Sequence, residues 1–236
     1  MKEVILHIET ATKICSVAVS EAGNILAFHE EHPDNYVHGE QLTLFIEKVC
    51  IKARIQLSDL DAVSVSIGPG SYTGLRIGLS TAKGLCFGLD IPIICIETLD
   101  SLLVTARSKY PNATLCAMLD ARRMEVYTKS IDEKDLTIQE RSSKVIEAET
   151  FKANSHSVHV VKSSIYSTFI VGILVFVEPP VNVKHFCCPV SVFLRYKTGE
   201  PAPAADDGYK ILLYSEVFQA YALFISKLLG SVEHAS

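Results

Sequence analysis

Apolar and polar residues alternate from the start of the chain. Val4, Leu6 and Ile8 form one set, and Cys15, Val17 and Val19 form a second. Ile25-Leu26-Ala27-Phe28 follows the turn residues Glu21-Ala22-Gly23-Asn24. A period of two marks strands, so this pattern predicts a three-strand meander with turns at Thr10–Lys13 and Ala22–Asn24. The period then changes. Leu42, Phe45, Ile46, Val49 and Ala53 fall at i, i+3, i+4, i+7 and i+11, which is one apolar stripe of a helix over His38–Arg54. Asp61–Ile67 alternates again, and a glycine-rich loop leads into a second helix that runs to about Leu89. Pro92–Ile96 reads as a strand and Leu99–Lys109 as a helix broken by Pro111-Asn112. Leu115–Leu119 and Met124–Ser130 read as strands about a tight turn at Asp120–Arg123.

Strands alternating with helices define an α/β protein. Further on, Ile165–Val177 reads as a buried strand ended by Pro179-Pro180. It is shorter than the roughly 20 residues that a spanning helix needs. Gly199–Gly208 reads as a linker and Tyr214–Leu229 as a helix stopped by Gly230.

Composition adds limits. The 236 residues are 48% hydrophobic and 21% charged, which excludes wholesale disorder. The net charge of −5 argues against a chain that grips nucleic acid alone. Seven cysteines without paired spacing suggest free thiols, with Cys86 and Cys95 read as core residues. The first apolar run is interrupted by Glu9, so it reads as a strand rather than a signal peptide, and the expected compartment is the cytoplasm.

The strongest local signal is Gly68-Pro69-Gly70-Ser71-Tyr72-Thr73-Gly74-Leu75-Arg76. Ser71 or Thr73 can cap the helix that follows, and a free helix N-terminus attracts anions. Phosphate binding and a purely structural turn both fit, since the pattern is neither of the common phosphate-loop motifs. Within that helix Gly74, Gly78 and Ala82 are spaced by four beside Leu75, Leu79 and Leu85. Such a stripe allows close approach, either by the chain's own sheet or by a partner helix.

The run Ser66–Pro92 resembles the TsaB family of tRNA threonylcarbamoyladenosine biosynthesis proteins, of the Bacteroidetes type. Ile5–Ser20, Asn35–Leu42, Ile96–Leu102 and Met118–Tyr127 agree in order, so the likeness covers about residues 1–151. It implies an actin-like/sugar-kinase (ribonuclease H-like) fold of two lobes. The first lobe would span 1–105 and the second 106–200, with a linker and last helix over 201–236. It implies a non-catalytic accessory subunit that dimerises with and activates the catalytic paralogue TsaD. TsaD modifies the adenosine 3′ of the anticodon in ANN-decoding tRNAs. TsaE, an ATPase, would join the complex, the chain would form a homodimer when alone, and tRNA would be met only through the complex. The resemblance assigns Leu42, Phe45, Ile46, Val49, Leu75, Gly78, Leu79, Ala82 and Leu85 to the partner interface. No metal or cofactor of the chain's own is implied, with weak ATP or ADP binding in the complex left open at Gly68–Gly74 and Arg76.

Missing chemistry points the same way. Catalytic relatives carry a histidine pair one turn apart, whereas here His38 is followed four residues on by Leu42. The first hairpin has Glu9-Thr10-Ala11-Thr12 where a kinase-type hairpin carries a carboxylate beside Gly-Thr. The alternative is a metal- or ATP-dependent enzyme of the same fold, a small-molecule phosphotransferase or a glycoprotease-like hydrolase.

The likeness stops near Phe151. Pro189–Gly199 looks like the family's closing strand but precedes the final helix, so the second lobe is divergent, rearranged or altered by a reading-frame change. His156 with His159, and His185 with Cys187 and Cys188, lack a matching second half for a metal site. His29-Glu30-Glu31-His32 reads as a solvated turn. Arg122 and Arg123 read as a hairpin tip, either plain solvated turn residues or a contact to tRNA phosphate or a partner.

Overall fold

A computed structural model describes residues 3–31, 38–145, 158–162 and 171–176; for 38–40, 109, 158–162 and 171–176 it describes the backbone alone. Pro189–Gly199, the linker at 199–208, the helix at 214–229, and His32, His156, His185, Cys187 and Cys188 lie outside the described residues.

The chain divides into two units between Ser101 and Leu102. In the first, β1 (Val4–Glu9), β2 (Cys15–Glu21) and β3 (Asn24–Glu31) form the expected antiparallel meander. α1 (His38–Ala53) follows, then β4 (Ala62–Gly68), α2 (Tyr72–Leu89) and β5 (Ile93–Glu97). The sheet order is β3-β2-β1-β4-β5, with β1–β4 and β4–β5 parallel. Each parallel pair requires a crossover, and α1 and α2 supply them. Leu6, Ile8, Val17 and Val63 meet Leu42, Phe45, Val49, Ala82 and Cys86 in one core, so both helices cover the same face of the sheet.

The opposite face combines a small apolar cluster of Ile5, Ala62 and Ile96 with buried polar residues. His7 is fully buried there and ties three strands: Nδ1 meets Ser64 Oγ at 2.7 Å on β4, and Nε2 meets Ser20 Oγ at 2.8 Å on β2. Burial pushes its pKa down to about 3, so the ring is neutral.

α3 (Thr98–Lys109) crosses the unit boundary. The second unit holds β6 (Thr114–Arg122), β7 (Glu125–Ile131), β8 (Thr137–Val145), β9 (Val158–Lys162) and β10 (Val171–Phe176). Their order is β8-β7-β6-β10-β9. The meander at one side repeats that of the first sheet. β10 then runs antiparallel to β6, where the equivalent first-unit pair, β4 with β1, is parallel. The second sheet therefore shares the meander but not the parallel pairing of the first, and the strand predicted within 165–177 contains β10. β8 has no counterpart among the predicted strands, because its residues are mostly polar and it lies at a sheet edge.

Arg107 locks the second unit's hairpin. Its Nε donates to Asp135 Oδ1 at 2.7 Å, Nη1 donates to the carbonyls of Tyr110, Pro111 and Ala113, and Nη2 donates to the carbonyl of Asp132. One planar fork thus satisfies the chain after α3 and the β7–β8 turn together.

The buried His7 predicts an acid-sensitive fold. The unfolded imidazole protonates near 6.5 and the folded one near 3, so the unfolded state holds more protons between those values and stability falls as pH falls through that window. Between pH 7.5 and pH 5 the loss is about 2 kcal/mol at roughly 1.4 kcal/mol per unit. The Glu9 carboxyl, raised by burial, has the opposite sign, favouring the fold at low pH and losing that contribution as pH rises. His7→Gln retains the Glu9 effect and removes the His7 effect. The stability difference between the two pH values, read by urea denaturation, should therefore shift in the variant, by about 2 kcal/mol in favour of pH 5; an unchanged difference contradicts this assignment.

Candidate functional site

The Gly68–Gly74 loop joins β4 to α2 and packs on the β1–β2 hairpin. Gly68 has φ +113°, a region that favours glycine. A Cβ at Gly70 would meet the Ala11 carbonyl and lie 2.8 Å from Ala11 Cβ. The Ser71 N–H donates to the Ala11 carbonyl at 2.6 Å, which pins the loop in place. Ser71, not Thr73, caps α2: its Oγ accepts from the Gly74 N–H at 3.3 Å, and its carbonyl accepts from the Leu75 N–H at 2.9 Å. Several donors that would have faced an anion are thus spent inside the chain.

The hairpin does not fit a phosphate-bound magnesium. Glu9 is buried and accepts the Ala11 N–H at 2.7 Å. Burial pushes its carboxyl up, against opposing hydrogen bonds from the backbone N–H groups of Ala11 and Thr10. Thr10, Ala11 and Thr12 are buried as well. A carboxyl biased toward its neutral form and turned inward is a poor ligand for a hard cation.

The interface assignment needs correction. Leu42, Phe45, Ile46 and Val49 are between 0% and 4% exposed and belong to the first unit's own core. Gly78 and Ala82 are buried too, and a Cβ at Gly78 would run into Thr10 Oγ1 and lie 3.5 Å from Ile8 Cγ2. The Gly74-Gly78-Ala82 stripe therefore brings α2 down onto β1 and its turn. Leu75, Leu79 and Leu85 are half-buried, the last two against the same core. Six of the nine residues are thus buried within the first unit, and Leu75, Leu79 and Leu85 keep partial exposure.

A second stripe points the other way. Ser80, Gly84 and Gly88 are exposed and also spaced by four, and a Cβ at Gly84 or Gly88 would meet nothing within 4 Å. Phe87 beside them is 93% exposed and Tyr72 is 74% exposed. Arg76 lies over the Tyr72 ring at 5.3 Å, and Arg76 Nη1 donates to its hydroxyl at 3.3 Å. On the neighbouring α1, Leu44 and Ile51 are 52% and 68% exposed.

Two other expectations change. His29 lies in β3, edge-on to Phe45 with ring centroids 4.4 Å apart and its Nε2 2.9 Å from Glu31 Oε1, so it is not in a solvated turn. Cys86 is buried as expected but Cys95 is exposed on β5. At the β6–β7 tip Arg122, Arg123 and Met124 all have positive φ (70°, 51° and 63°), at a cost of about 1 kcal/mol each for non-glycine residues. His7 and Arg107 were not singled out from the sequence, whereas Gly84 and Gly88 stand out there as helical glycines that call for packing to hold them.

These features are those of an α/β protein of two units, each with a five-stranded sheet that includes a three-strand meander. The family model described as TsaD, tRNA N6-adenosine threonylcarbamoyltransferase, matches residues 35–166, and the chain belongs to that family; its named relatives are TsaB proteins. It is 36% identical over 123 residues to the tRNA threonylcarbamoyladenosine biosynthesis protein TsaB of Escherichia coli, covering 52% of each chain. It is 32% identical over 123 residues to that of Haemophilus influenzae, covering 52% of this chain and 51% of the other. The chain spans about half the length of these curated relatives. YeaZ from Pseudomonas aeruginosa superposes with a TM-score of 0.54 at 27% identity, over 62% of this chain and 68% of that one. An uncharacterized protein with similarity to peptidase YEAZ shares the fold over 95% of this chain and 93% of its own, with a TM-score of 0.55 at 20% identity.

The two glycine stripes should respond oppositely to added methyl groups. Gly78→Ala meets Thr10 and should destabilise by about 1–3 kcal/mol. Gly84→Ala and Gly88→Ala enter open space and should stabilise the isolated chain by about 1 kcal/mol each. Urea denaturation decides it; equal effects at Gly78 and Gly84 contradict the assignment of faces.

Proposed function

We propose that this chain is a non-catalytic accessory subunit in the formation of threonylcarbamoyladenosine in ANN-decoding tRNAs. It acts by presenting the outer face of α1 and α2 to the catalytic paralogue TsaD. The observation that carries the reading is the pair of open glycines, Gly84 and Gly88, beside the exposed Phe87. Each helical glycine costs about 1 kcal/mol relative to alanine, and nothing among the described residues requires these two. A second helix laid across them would need that space, and Phe87, Tyr72, Leu44 and Ile51 would supply its apolar contacts.

Leu42 supports the non-catalytic part. It stands where catalytic relatives carry the second metal histidine, and here it is sealed in the core at 1% exposure. A chain without that pair has no evident means of its own to activate the transferred group. In the same reading TsaE joins the complex, the chain pairs with itself when TsaD is absent, and any ATP or ADP binding is weak and belongs to the assembly. tRNA is engaged through the complex, in the cytoplasm. Among the described residues no helix is long and apolar enough to cross a membrane.

Gly84→Leu combined with Phe87→Glu should leave the unfolding midpoint of the isolated chain within a few degrees of the unsubstituted protein. It should weaken TsaD binding by roughly 30-fold or more, the scale of losing a central anchor. Threonylcarbamoyladenosine in cellular tRNA, read by nucleoside mass spectrometry, should fall with it. Undiminished co-purification and modification would sink the proposal.

A further inference from the structure

The β6–β7 tip carries a feature that packing does not explain. Arg122 pairs with Glu125 across the tip, and Arg123-Met124 form the two-residue loop between them. Loops of this kind need positive φ and are usually built from Asn-Gly or Asp-Gly. Here three successive non-glycine residues take that conformation, and the two arginines are exposed. The tip is also held firmly. Asp120, almost fully buried, accepts the Arg122 N–H through Oδ1 at 2.8 Å. The other arginine of note in this unit, Arg107, has its guanidinium consumed by the fold. The Arg123 guanidinium, by contrast, makes no ion pair or hydrogen bond recorded among the described residues. Backbone cost at a rigid tip, with cationic side chains on display, is a pattern found at binding sites.

We propose that this tip is a phosphate-contact finger, with Arg122 and Arg123 engaging the sugar-phosphate backbone of the RNA that the complex modifies. The inference rests on the tRNA reading above and adds a residue-level contact to it. A guanidinium presents paired donors that match phosphate oxygens. A two-residue tip makes point contacts, which suit a phosphate, whereas a stable protein interface needs about 800 Å² from each partner. The surrounding chain is net acidic at −5, so these cations act as local grips within an assembly and not as an independent RNA-binding surface.

The test uses the complex of the full chain with TsaD, and an unmodified ANN-decoding tRNA transcript as the probe. Arg122→Asn with Arg123→Gly removes both cations and installs residues that accept the turn. This variant should unfold at the same or a higher temperature and assemble with TsaD normally. It should bind the transcript about tenfold or more weakly, and its plot of log affinity against log salt should be shallower by about two. Arg122→Lys with Arg123→Lys should recover part of the affinity and the full salt slope. Equal affinity and slope in the Asn-Gly variant overturn the finger and leave the tRNA reading standing. Loss of TsaD assembly in that variant overturns it in favour of a protein contact. Failure of the unsubstituted complex to bind the transcript overturns both.

Discussion

The close approach of α2 to the first hairpin is the constraint on which the first unit depends. Gly78 lets the helix sit on Thr10 and Ile8, and Gly70 lets the loop sit on the Ala11 carbonyl. A side chain at either position would lift α2 and open the core that holds Leu6, Val63, Ala82 and Cys86 together. The same approach turns the Ser80-Gly84-Gly88 face outward. One helix therefore uses small residues twice, once to reach its own sheet and once to leave an open surface. It also closes the hairpin. The Ser71 N–H is tied to the Ala11 carbonyl and Glu9 is folded back on the Ala11 N–H, so these two backbone donors are used inside the chain.

Much of the first unit was legible in the sequence because its elements are locally periodic. The meander, α1, β4, α2 and β5 all lie within a residue or two of where alternation and the helical stripe place them. What periodicity reports is burial, and it is silent on what does the burying. Leu42, Phe45, Ile46 and Val49 form a true stripe, but their own sheet covers it and no partner is needed. The two small-residue stripes of α2 have the same spacing, so only the fold separates the one under compression from the one in the open. His7 was unreadable for a different reason. Its partners, Ser20 and Ser64, are 13 and 57 residues away, and only strand order brings them together. β8 escaped because an edge strand with solvent on both sides has little apolar alternation to detect.

The polar interior and the open helix face divide the work. His7, Ser20 and Ser64 stitch β1 to both of its neighbours without charge, which keeps the sheet rigid beneath α1 and α2. Rigidity there suits the proposed docking role, since a preformed face avoids the entropy of ordering it on contact. The second unit shares the meander but pairs β10 antiparallel to β6, so it could not reuse the parallel crossover that places α2 in the first. The proposed docking face therefore lies in the first unit, while the β6–β7 tip belongs to the second.

Amide hydrogen exchange along α1 and α2, recorded for the chain alone and with TsaD added, tests the central claim most directly. The account predicts new protection over residues 80–88 and 44–51 when TsaD is present. It predicts that the 68–74 loop, already tied to Ala11, is protected equally in both. Added protection confined to the loop, with residues 80–88 unchanged, would contradict it.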